Sequence, residues 1–527
     1  MRYSGTGPSI VLAFLVSTSA AAQESGPSEG ATKNSEEGAV PEAKTFVTTS
    51  TVRIDGRVLK YEATVGTLIL KDPDDKPIAT FGYTAYVKQG DRAARRRPIT
   101  FAFNGGPGSS SVWLHMGVLG PKRARANDLG ATSAPFGTEE NGFSILDRSD
   151  LVFIDPVGTG LSRPIGEAKG EMFWGVDQDV ESIGNFIHRY VTESRRWGSP
   201  KYLLGESYGA MRAAALVHHM QSRYNMAFSG VVLVSPFLDF VAGFDGVGND
   251  LAYILFLPTL AAVAWQHDAV EDKPERLESF VEAAKEFAMT SYARALRKGA
   301  RLQGEERAEV IERMAAFTGL SQEYLDRANL RVGHNQFTQE LLRDRGVTVG
   351  RIDARFSGPN WNPLAERMPY DPFMADIAGP FTAAFQDYLH GSLDVPPANA
   401  YRVSNFELWK VWDWGHRPPG MPELGPAKLP VPNTALDLAY AMTTNSNLRI
   451  LVQQGMFDLA TPQLATEYVL DHMKIPAEAR DRITVAYYEA GHMMYLHPPS
   501  RSKFRGDLVR FIDGGPPNAS KGSVSRR

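Results

Sequence analysis

The chain has 527 residues, of which 43% are hydrophobic and 22% charged, and its formal net charge is −4 at pH 7. This composition is typical of a globular protein with a large core, and its acidic balance does not favour binding to nucleic acid. Because the chain contains no cysteine, disulfides, a thiol nucleophile and a thiolate metal site are all excluded.

The first 22 residues have the features of a secretory signal peptide. Arg2 supplies a positive charge, residues 10–16 are apolar, and alanines at 20–22 precede Gln23. The apolar run is too short to span a bilayer, although an uncleaved N-terminal anchor stays an alternative. We expect cleavage after Ala22, a secreted or periplasmic protein, and no membrane association afterwards. The polar residues 23–45 predict a disordered linker, and the polar residues 514–527 predict a disordered tail.

Strand and helix patterns alternate through the first half of the chain. Residues 46–87 alternate in polarity like strands, and short apolar strands alternate with helices from residue 99 onwards. The predicted strands lie at 99–103, 151–155, 201–204 and 230–234, and the predicted helices at 176–195 and 211–224. This order predicts an α/β fold with a doubly wound, mostly parallel sheet.

The alternation breaks near residue 240. Residues 241–442 are mostly helical, charged and irregular, which predicts an inserted helical cap between two core parts, residues 46–240 and 443–513. Strands at 448–453 and 483–487 and a helix at 504–512 complete the core. Four tryptophans either line a substrate pocket or pack within the cap: Trp361, Trp409, Trp412 and Trp414.

The sequence GESYG at residues 205–209 marks a candidate nucleophile. It places Ser207 between two glycines at a strand-to-helix junction, the pattern of a nucleophile elbow. An ordinary turn with a surface serine is the alternative. A serine hydroxyl needs a neighbouring base before it can attack a carbonyl group.

Two residues further along the chain fit the roles of that base and its carboxylate partner. Asp458 and His492 each follow a predicted strand of the second core part. The order Ser, Asp, His is the one used by α/β-hydrolases, in which the carboxylate orients the imidazole. A helix N-cap is the alternative role for Asp458. We predict Ser207, Asp458 and His492 as the catalytic triad.

A glycine-rich loop follows the predicted strand at 99–103. Its sequence, NGGPG at residues 104–108, lets the backbone approach a substrate closely. A backbone amide there, together with the amide after Ser207, would form an oxyanion hole.

Five motifs stand out: NGGPGSS at 104–110, DPVGTGLS at 155–162, GESYG at 205–209, GMFD at 455–458 and GHM at 491–493. Together they resemble the serine carboxypeptidase family, and the sequence GHMMY at 491–495 and the absence of cysteine resemble its bacterial branch. The resemblance implies an α/β-hydrolase fold, removal of C-terminal residues from peptides, and an oxyanion hole of Gly106 and Tyr208. It also implies that Asn104 and Glu206 hold the terminal carboxylate of the peptide, which requires one of the two carboxyl groups to be protonated.

The sequence departs from the family pattern at three positions. Ala102 stands where the family usually has tryptophan, and Ser109 where it usually has cysteine. A second glutamate that the family carries downstream would fall near Gly117 or Val118. These departures leave the triad intact and affect the carboxylate-binding site.

Two other functions stay open. An esterase or acyltransferase would use the same triad, and a binding protein would reuse the fold without catalysis. The sequence contains no metal-ligand spacing, phosphate-binding loop or dinucleotide fingerprint, so no cofactor or metal is expected. Peptides are the expected partners. The preferred side chains and the oligomeric state do not follow from the sequence.

Overall fold

The structure is a computed structural model that describes residues 41–90, 94–246, 248–421 and 428–515. The predicted signal peptide lies outside the described residues, as do most of the predicted linker and tail. Within these four ranges, no helix has both the length and the apolar character needed to cross a membrane.

A large mixed sheet forms the centre of the molecule. The strands are β1 (Thr45–Ile54), β2 (Arg57–Lys71), β3 (Pro77–Lys88), β4 (Ile99–Phe103), β5 (Lys122–Ala124), β6 (Thr138–Glu140), β7 (Asp150–Ile154), β8 (Arg163–Pro164), β9 (Lys201–Glu206), β10 (Gly230–Val234), β11 (Val347–Val349), β12 (Ser357–Pro359), β13 (Arg449–Gly455) and β14 (Ile483–Tyr488). Ten of them form one sheet in the order β1-β2-β3-β7-β4-β9-β10-β13-β14, with β8 paired to β3.

The strands that carry the site are all parallel. Pairing is antiparallel from β1 to β7 and parallel from β7 through β4, β9, β10 and β13 to β14. The register pairs Glu206 with Val234, and Val234 with Gln453. The carboxyl ends of β9, β10 and β13 therefore meet at one edge of the sheet, where ligands bind in α/β folds. The predicted α/β fold with a mostly parallel sheet is confirmed.

Helices cover both faces of the sheet. They are α1 (Val112–Leu114), α2 (Val176–Glu193), α3 (Tyr208–Tyr224), α4 (Phe240–Gly243), α5 (Asp250–Gln266), α6 (Leu277–Phe287), α7 (Ala293–Lys298), α8 (Gly304–Thr318), α9 (Gln322–Arg327), α10 (His334–Glu340), α11 (Pro372–Asp387), α12 (Ala435–Thr444), α13 (Gln463–His472), α14 (Ala477–Arg480) and α15 (Pro498–Ile512). Neighbouring residues of one strand, such as Leu203 and Leu204, point into the two different cores. Burial of both faces explains the continuous apolar runs of the central strands.

The inserted block of residues 241–442 divides between the two faces. Helix α5 is apolar on all sides and joins the core that contains α2 and α3. Helix α11 packs on the opposite face through Phe373, Ile377, Phe381 and Phe385, which share one side of the helix. The chain between α10 and α11 passes the edge of the sheet where the candidate site lies.

Candidate active site

Ser207 lies in a tight turn between β9 and α3. Its backbone has φ 62° and ψ −128°, a conformation that non-glycine residues rarely adopt and that is associated with functional sites. A Cβ atom on Gly205 would lie 2.0 Å from the carbonyl oxygen of Gly209, so only glycine fits there. This geometry is that of a nucleophile elbow, with the side chain partly exposed at the start of α3.

Asp458 and His492 form a buried hydrogen-bonded pair. The Nδ1 atom of His492 lies 2.7 Å from Oδ2 of Asp458, and both side chains are nearly inaccessible to solvent. The backbone amides of Ala460 and Thr461 donate to Oδ1, at 2.8 Å and 3.0 Å, and the Thr461 hydroxyl donates to Oδ2 at 2.6 Å. The carboxylate is therefore fixed in position and holds the imidazole with its Nε2 directed away.

The N-cap alternative does not describe Asp458. The next helix, α13, has Pro462 as its N-cap residue, so the aspartate caps only the turn that precedes it. Its bond to His492 is a separate interaction with the other carboxylate oxygen.

The loops of Ser207 and His492 meet through two consecutive residues of the chain. The Ser207 amide donates to the Val234 carbonyl at 2.9 Å, and the Ser235 hydroxyl donates to the His492 carbonyl at 2.7 Å. Among the described residues, the Ser207 hydroxyl makes no hydrogen bond to His492. Such bonds are often long before substrate binds.

The environment of His492 makes it a stronger base. Burial lowers the pKa of the imidazole, but the charge and hydrogen bond of Asp458 outweigh burial, and Glu206 adds to their effect. The pKa of His492 is therefore raised above its ordinary value of 6.5. A carboxylate partner that stabilises the imidazolium is what proton transfer from a serine requires.

Glu206 and Asn104 form a second polar pair beside the elbow. Glu206 is only 1% exposed. Its Oε2 accepts hydrogen bonds from Asn104 Nδ2 at 3.0 Å and from the Tyr495 hydroxyl at 2.8 Å. Burial raises the pKa of Glu206 from 4.5 to about 7, against the lowering effects of His492 and of these two donors. The site therefore contains a carboxyl group that can carry a proton near neutral pH.

The NGGPG loop packs directly on the elbow. A Cβ atom on Gly105 would lie 2.6 Å from the amide nitrogens of both Tyr208 and Gly209. In the described part of the chain, neither the Gly106 amide nor the Tyr208 amide donates a hydrogen bond. Both candidate oxyanion donors are thus available to a ligand, and their loops lie in contact.

A buried arginine supports this loop from below. Arg212 Nη1 donates to the Asn104 carbonyl at 2.6 Å, and Arg212 Nε pairs with Asp179 at the same distance. The Asn104 side chain is fixed as well, because its Oδ1 accepts a bond from the Leu114 amide at 3.0 Å. Its Nδ2 is thereby directed at Glu206.

A backbone segment that the sequence analysis missed joins the Asp458 and His492 loops. We call residues 351–354 the strap. The His492 amide donates to Ile352 O at 2.7 Å, the Leu459 amide donates to Arg351 O at 3.1 Å, and the Ala354 amide donates to Phe457 O at 3.0 Å. Because these hydrogen bonds join backbone atoms that are far apart in the sequence, no pattern of side chains predicts them.

The tryptophans of the inserted block do not share one position. Trp409 Nε1 donates to Pro107 O at 2.8 Å, in the NGGPG loop. The rings of Trp412 and Trp414 meet the Tyr208 ring edge-on, with centroids at 5.6 Å and 6.0 Å. Trp361, in contrast, is 81% exposed. Two of the four therefore pack on Tyr208, and a third bonds to the loop that carries Gly106.

Two departures from the family pattern have structural counterparts. Ser109 accepts a hydrogen bond from Trp113 Nε1 at 2.9 Å. At Gly117, a Cβ atom would lie 2.4 Å from the ring of Tyr495, so the tyrosine occupies the space beside this residue. A side chain as large as glutamate at Gly117 would displace that ring.

Comparisons with known proteins find similar sequences. A family profile described as serine carboxypeptidase matches residues 81–323, a span that includes Asn104 and Ser207. Serine carboxypeptidase-like 36 of Arabidopsis thaliana is 26% identical over 172 residues, which are 31% of this chain and 33% of the relative. Serine carboxypeptidase-like 9 of the same plant is 27% identical over 143 residues, 26% of this chain and 30% of the relative. The chain thus aligns with about a third of the length of these curated relatives.

The fold is shared with a solved structure. Kex1Δp, a prohormone-processing carboxypeptidase from Saccharomyces cerevisiae, superposes with a TM-score of 0.51 at 14% identity, covering 86% of this chain and 91% of that one. At this identity the similarity shows the fold alone. Residues 81–323 thus match the serine carboxypeptidase family, and the chain has the fold of the α/β-hydrolases.

Proposed function

We propose that the protein is a serine carboxypeptidase that removes C-terminal residues from peptides through an acyl-enzyme intermediate. The observation that carries this proposal is the buried Glu206 carboxyl, bonded to Asn104 and adjacent in sequence to Ser207. A protonatable acid at this point suits a substrate that ends in a carboxylate next to the bond to be cleaved. Secretion and membership of the bacterial branch stay predictions from the sequence.

The proposed chemistry uses the triad for two proton transfers. The Ser207 oxygen attacks the peptide carbonyl while Nε2 of His492 takes the hydroxyl proton, and Asp458 stabilises the resulting imidazolium. The amides of Gly106 and Tyr208 donate to the oxyanion. His492 then gives its proton to the leaving amine, which departs as the C-terminal amino acid. Water then attacks the acyl-enzyme while His492 takes its proton, and His492 returns that proton to the departing Ser207 oxygen, which releases the shortened peptide.

Recognition of the terminal carboxylate sets a pH limit. A peptide carboxylate is ionised above about pH 3.5, and an ionised Glu206 would repel it. Protonated Glu206 can instead donate a hydrogen bond to it, alongside the amide of Asn104. Since the pKa of Glu206 is about 7, this mode of binding is available below pH 7 and is lost as the pH rises through that value.

The same proton also affects the catalytic base. The charge of ionised Glu206 is one of the causes that raise the pKa of His492. When Glu206 is protonated, that cause disappears and the imidazole loses its proton at a lower pH. Substrate binding with a proton on Glu206 therefore favours the neutral His492 that the reaction needs.

The test compares one peptide with a free C-terminus and with an amidated C-terminus, from pH 5 to 9. The kcat/KM of the free peptide should be roughly 100-fold higher than that of the amidated peptide, because the amidated peptide lacks the terminal charge that would accept two hydrogen bonds. Its KM should rise above pH 7. In Glu206→Gln, which cannot titrate, this rise in KM should be absent.

Equal cleavage of the amidated peptide would contradict carboxylate recognition. Together with rapid cleavage of simple esters, that result would favour the esterase or acyltransferase alternative. A KM that rises above pH 7 in Glu206→Gln as well would remove Glu206 from the recognition site.

A further inference from the structure

The two oxygens of Glu206 have different surroundings. Both donors that reach the carboxyl group, Asn104 Nδ2 and the Tyr495 hydroxyl, bind Oε2, at 3.0 Å and 2.8 Å. Oε1 accepts no hydrogen bond from any residue that the structure describes. An oxygen that already accepts two bonds is a poor site for a proton, so the acidic proton belongs on Oε1.

Three contacts hold the ring and the backbone of Tyr495 in place. Its ring fills the space beside Gly117, where a Cβ atom would lie 2.4 Å from it. Its carbonyl accepts a bond from Arg501 Nε at 2.8 Å, and the edge of its ring meets the ring of Phe504. Burial, and then the charge of Glu206, raise the pKa of the phenol well above 10, so it stays a donor.

We propose that Tyr495 is a positioning residue that keeps the proton of Glu206 on Oε1, the oxygen left for the carboxylate of the substrate. This inference deepens the proposed function and rests on it. It adds a residue whose hydroxyl bonds to Glu206 and which therefore acts through that carboxyl group. The hydroxyl also favours the ionised form of the glutamate, because a donor stabilises a carboxylate more than a carboxylic acid.

The groups that face Glu206 determine the sign of the effect. His492, Tyr495 and Asn104 lower its pKa, whereas burial and the charge of Asp458 raise it. Removing the Tyr495 hydroxyl deletes one lowering contribution and leaves the others. The pKa of Glu206 should then rise by about one pH unit, the effect of losing one hydrogen bond to a charged group.

The experiment uses Tyr495→Phe, which keeps the ring against Gly117 and deletes only the hydroxyl. Tyr488→Phe is the matched control, because Tyr488 is also buried and donates to a carboxylate, Asp507 Oδ2, at 2.6 Å. Both proteins are labelled with ¹³C-glutamate, and the Glu206 signal is assigned by its absence in Glu206→Gln. Its titration is then followed by NMR in the full-length enzyme without substrate.

The expected result is an upward shift of about one pH unit in Tyr495→Phe and none in Tyr488→Phe. The rise in KM for the free-C-terminus peptide should move upward by the same amount, with kcat unchanged at its plateau. An unchanged Glu206 titration in Tyr495→Phe would overturn the inference. A shifted titration with no change in the KM profile would leave the effect on Glu206 in place and count against the proposed function.

A second variant distinguishes loss of the hydroxyl bond from misfolding of the protein. Replacement of Tyr495 by 3-fluorotyrosine keeps the hydroxyl and makes it a stronger donor. The Glu206 titration should then move downward, opposite to its movement in Tyr495→Phe. Movement in the same direction in both variants would overturn the inference.

Discussion

The candidate site has two halves that are built differently. The elbow half consists of the NGGPG loop and residues 205–209, where backbone packs on backbone at glycines. The Asp–His half consists of the loops that carry Asp458 and His492, joined by the strap of residues 351–354. The first half lies within the span that matches the family profile, and the second lies outside it.

The difference is one of sequence distance. In the elbow half, the glycine contacts that shape the turn of Ser207 come from the turn itself and from one loop about 100 residues away, and the Ser207 amide bonds to the Val234 carbonyl. In the Asp–His half, His492 bonds to Ile352, and the strap belongs to the inserted block. Tight local turns require glycines, which can be seen in the sequence, whereas a bridge made of backbone hydrogen bonds requires no particular residue type. The second half therefore depends on the correct folding of a distant segment.

The largest effect should come from removing the proposed catalytic side chain of either half. Ser207→Ala or His492→Ala should lower kcat on the free-C-terminus peptide by roughly 10⁴- to 10⁶-fold, since triad members act as a unit. The double variant should be scarcely worse than either single variant. Reaction with a fluorophosphonate probe, followed by intact mass, checks the assignment. Labelling of Ser207→Ala at wild-type rate would show that another residue is the nucleophile.

Much of the elbow half could be predicted from the sequence. The strands at 99–103 and 230–234 have the predicted bounds, whereas helix α3 begins at Tyr208, directly after the predicted nucleophile and three residues before the predicted start of the helix. The final helix begins earlier than predicted, at Pro498, because proline is well suited to the first turn of a helix.

The residues that support the site were harder to predict from the sequence. The strap acts through backbone atoms, and Tyr495 acts on Glu206 from a position fixed by its contact with Gly117, far away in the sequence. Arg212 lies in an alanine-rich helix, and its sequence position does not show that it is buried. In the structure it is fully buried and pairs with Asp179. These roles depend on packing between elements, which hydrophobic periodicity does not specify.

A smaller effect should come from loosening the strap. A Cβ atom on Gly491 would lie 2.4 Å from Cα of Asp353, so Gly491→Ala should push the His492 loop away from the strap. A displacement of about 1 Å at the base lowers the rate roughly 100-fold. Steady-state kinetics should show the loss in kcat rather than in KM. The elbow should stay intact, which the positive φ of Ser207 in a crystal structure of the variant would show.

Gly506→Ala is the control for the added methyl group. Gly506 lies in α15, and its nearest neighbour is the flexible end of Arg510, 3.5 Å from the added Cβ. This variant should keep wild-type kcat. If Gly491→Ala did the same, the strap would not control the position of His492.

The smallest effect should come from one support of Asp458. Thr461→Val keeps the shape of the side chain and removes the hydroxyl that donates to Oδ2 at 2.6 Å, the oxygen that also holds His492. Two backbone amides still bind Oδ1, so the carboxylate should lose orientation without being released. One hydrogen bond to a charged group corresponds to a decrease in kcat of about tenfold. Thr461→Ser retains the hydroxyl and should restore kcat. Equal rates for the valine and serine variants would show that the amides alone orient Asp458, and the Asp–His half would then depend on backbone contacts as completely as the elbow half does.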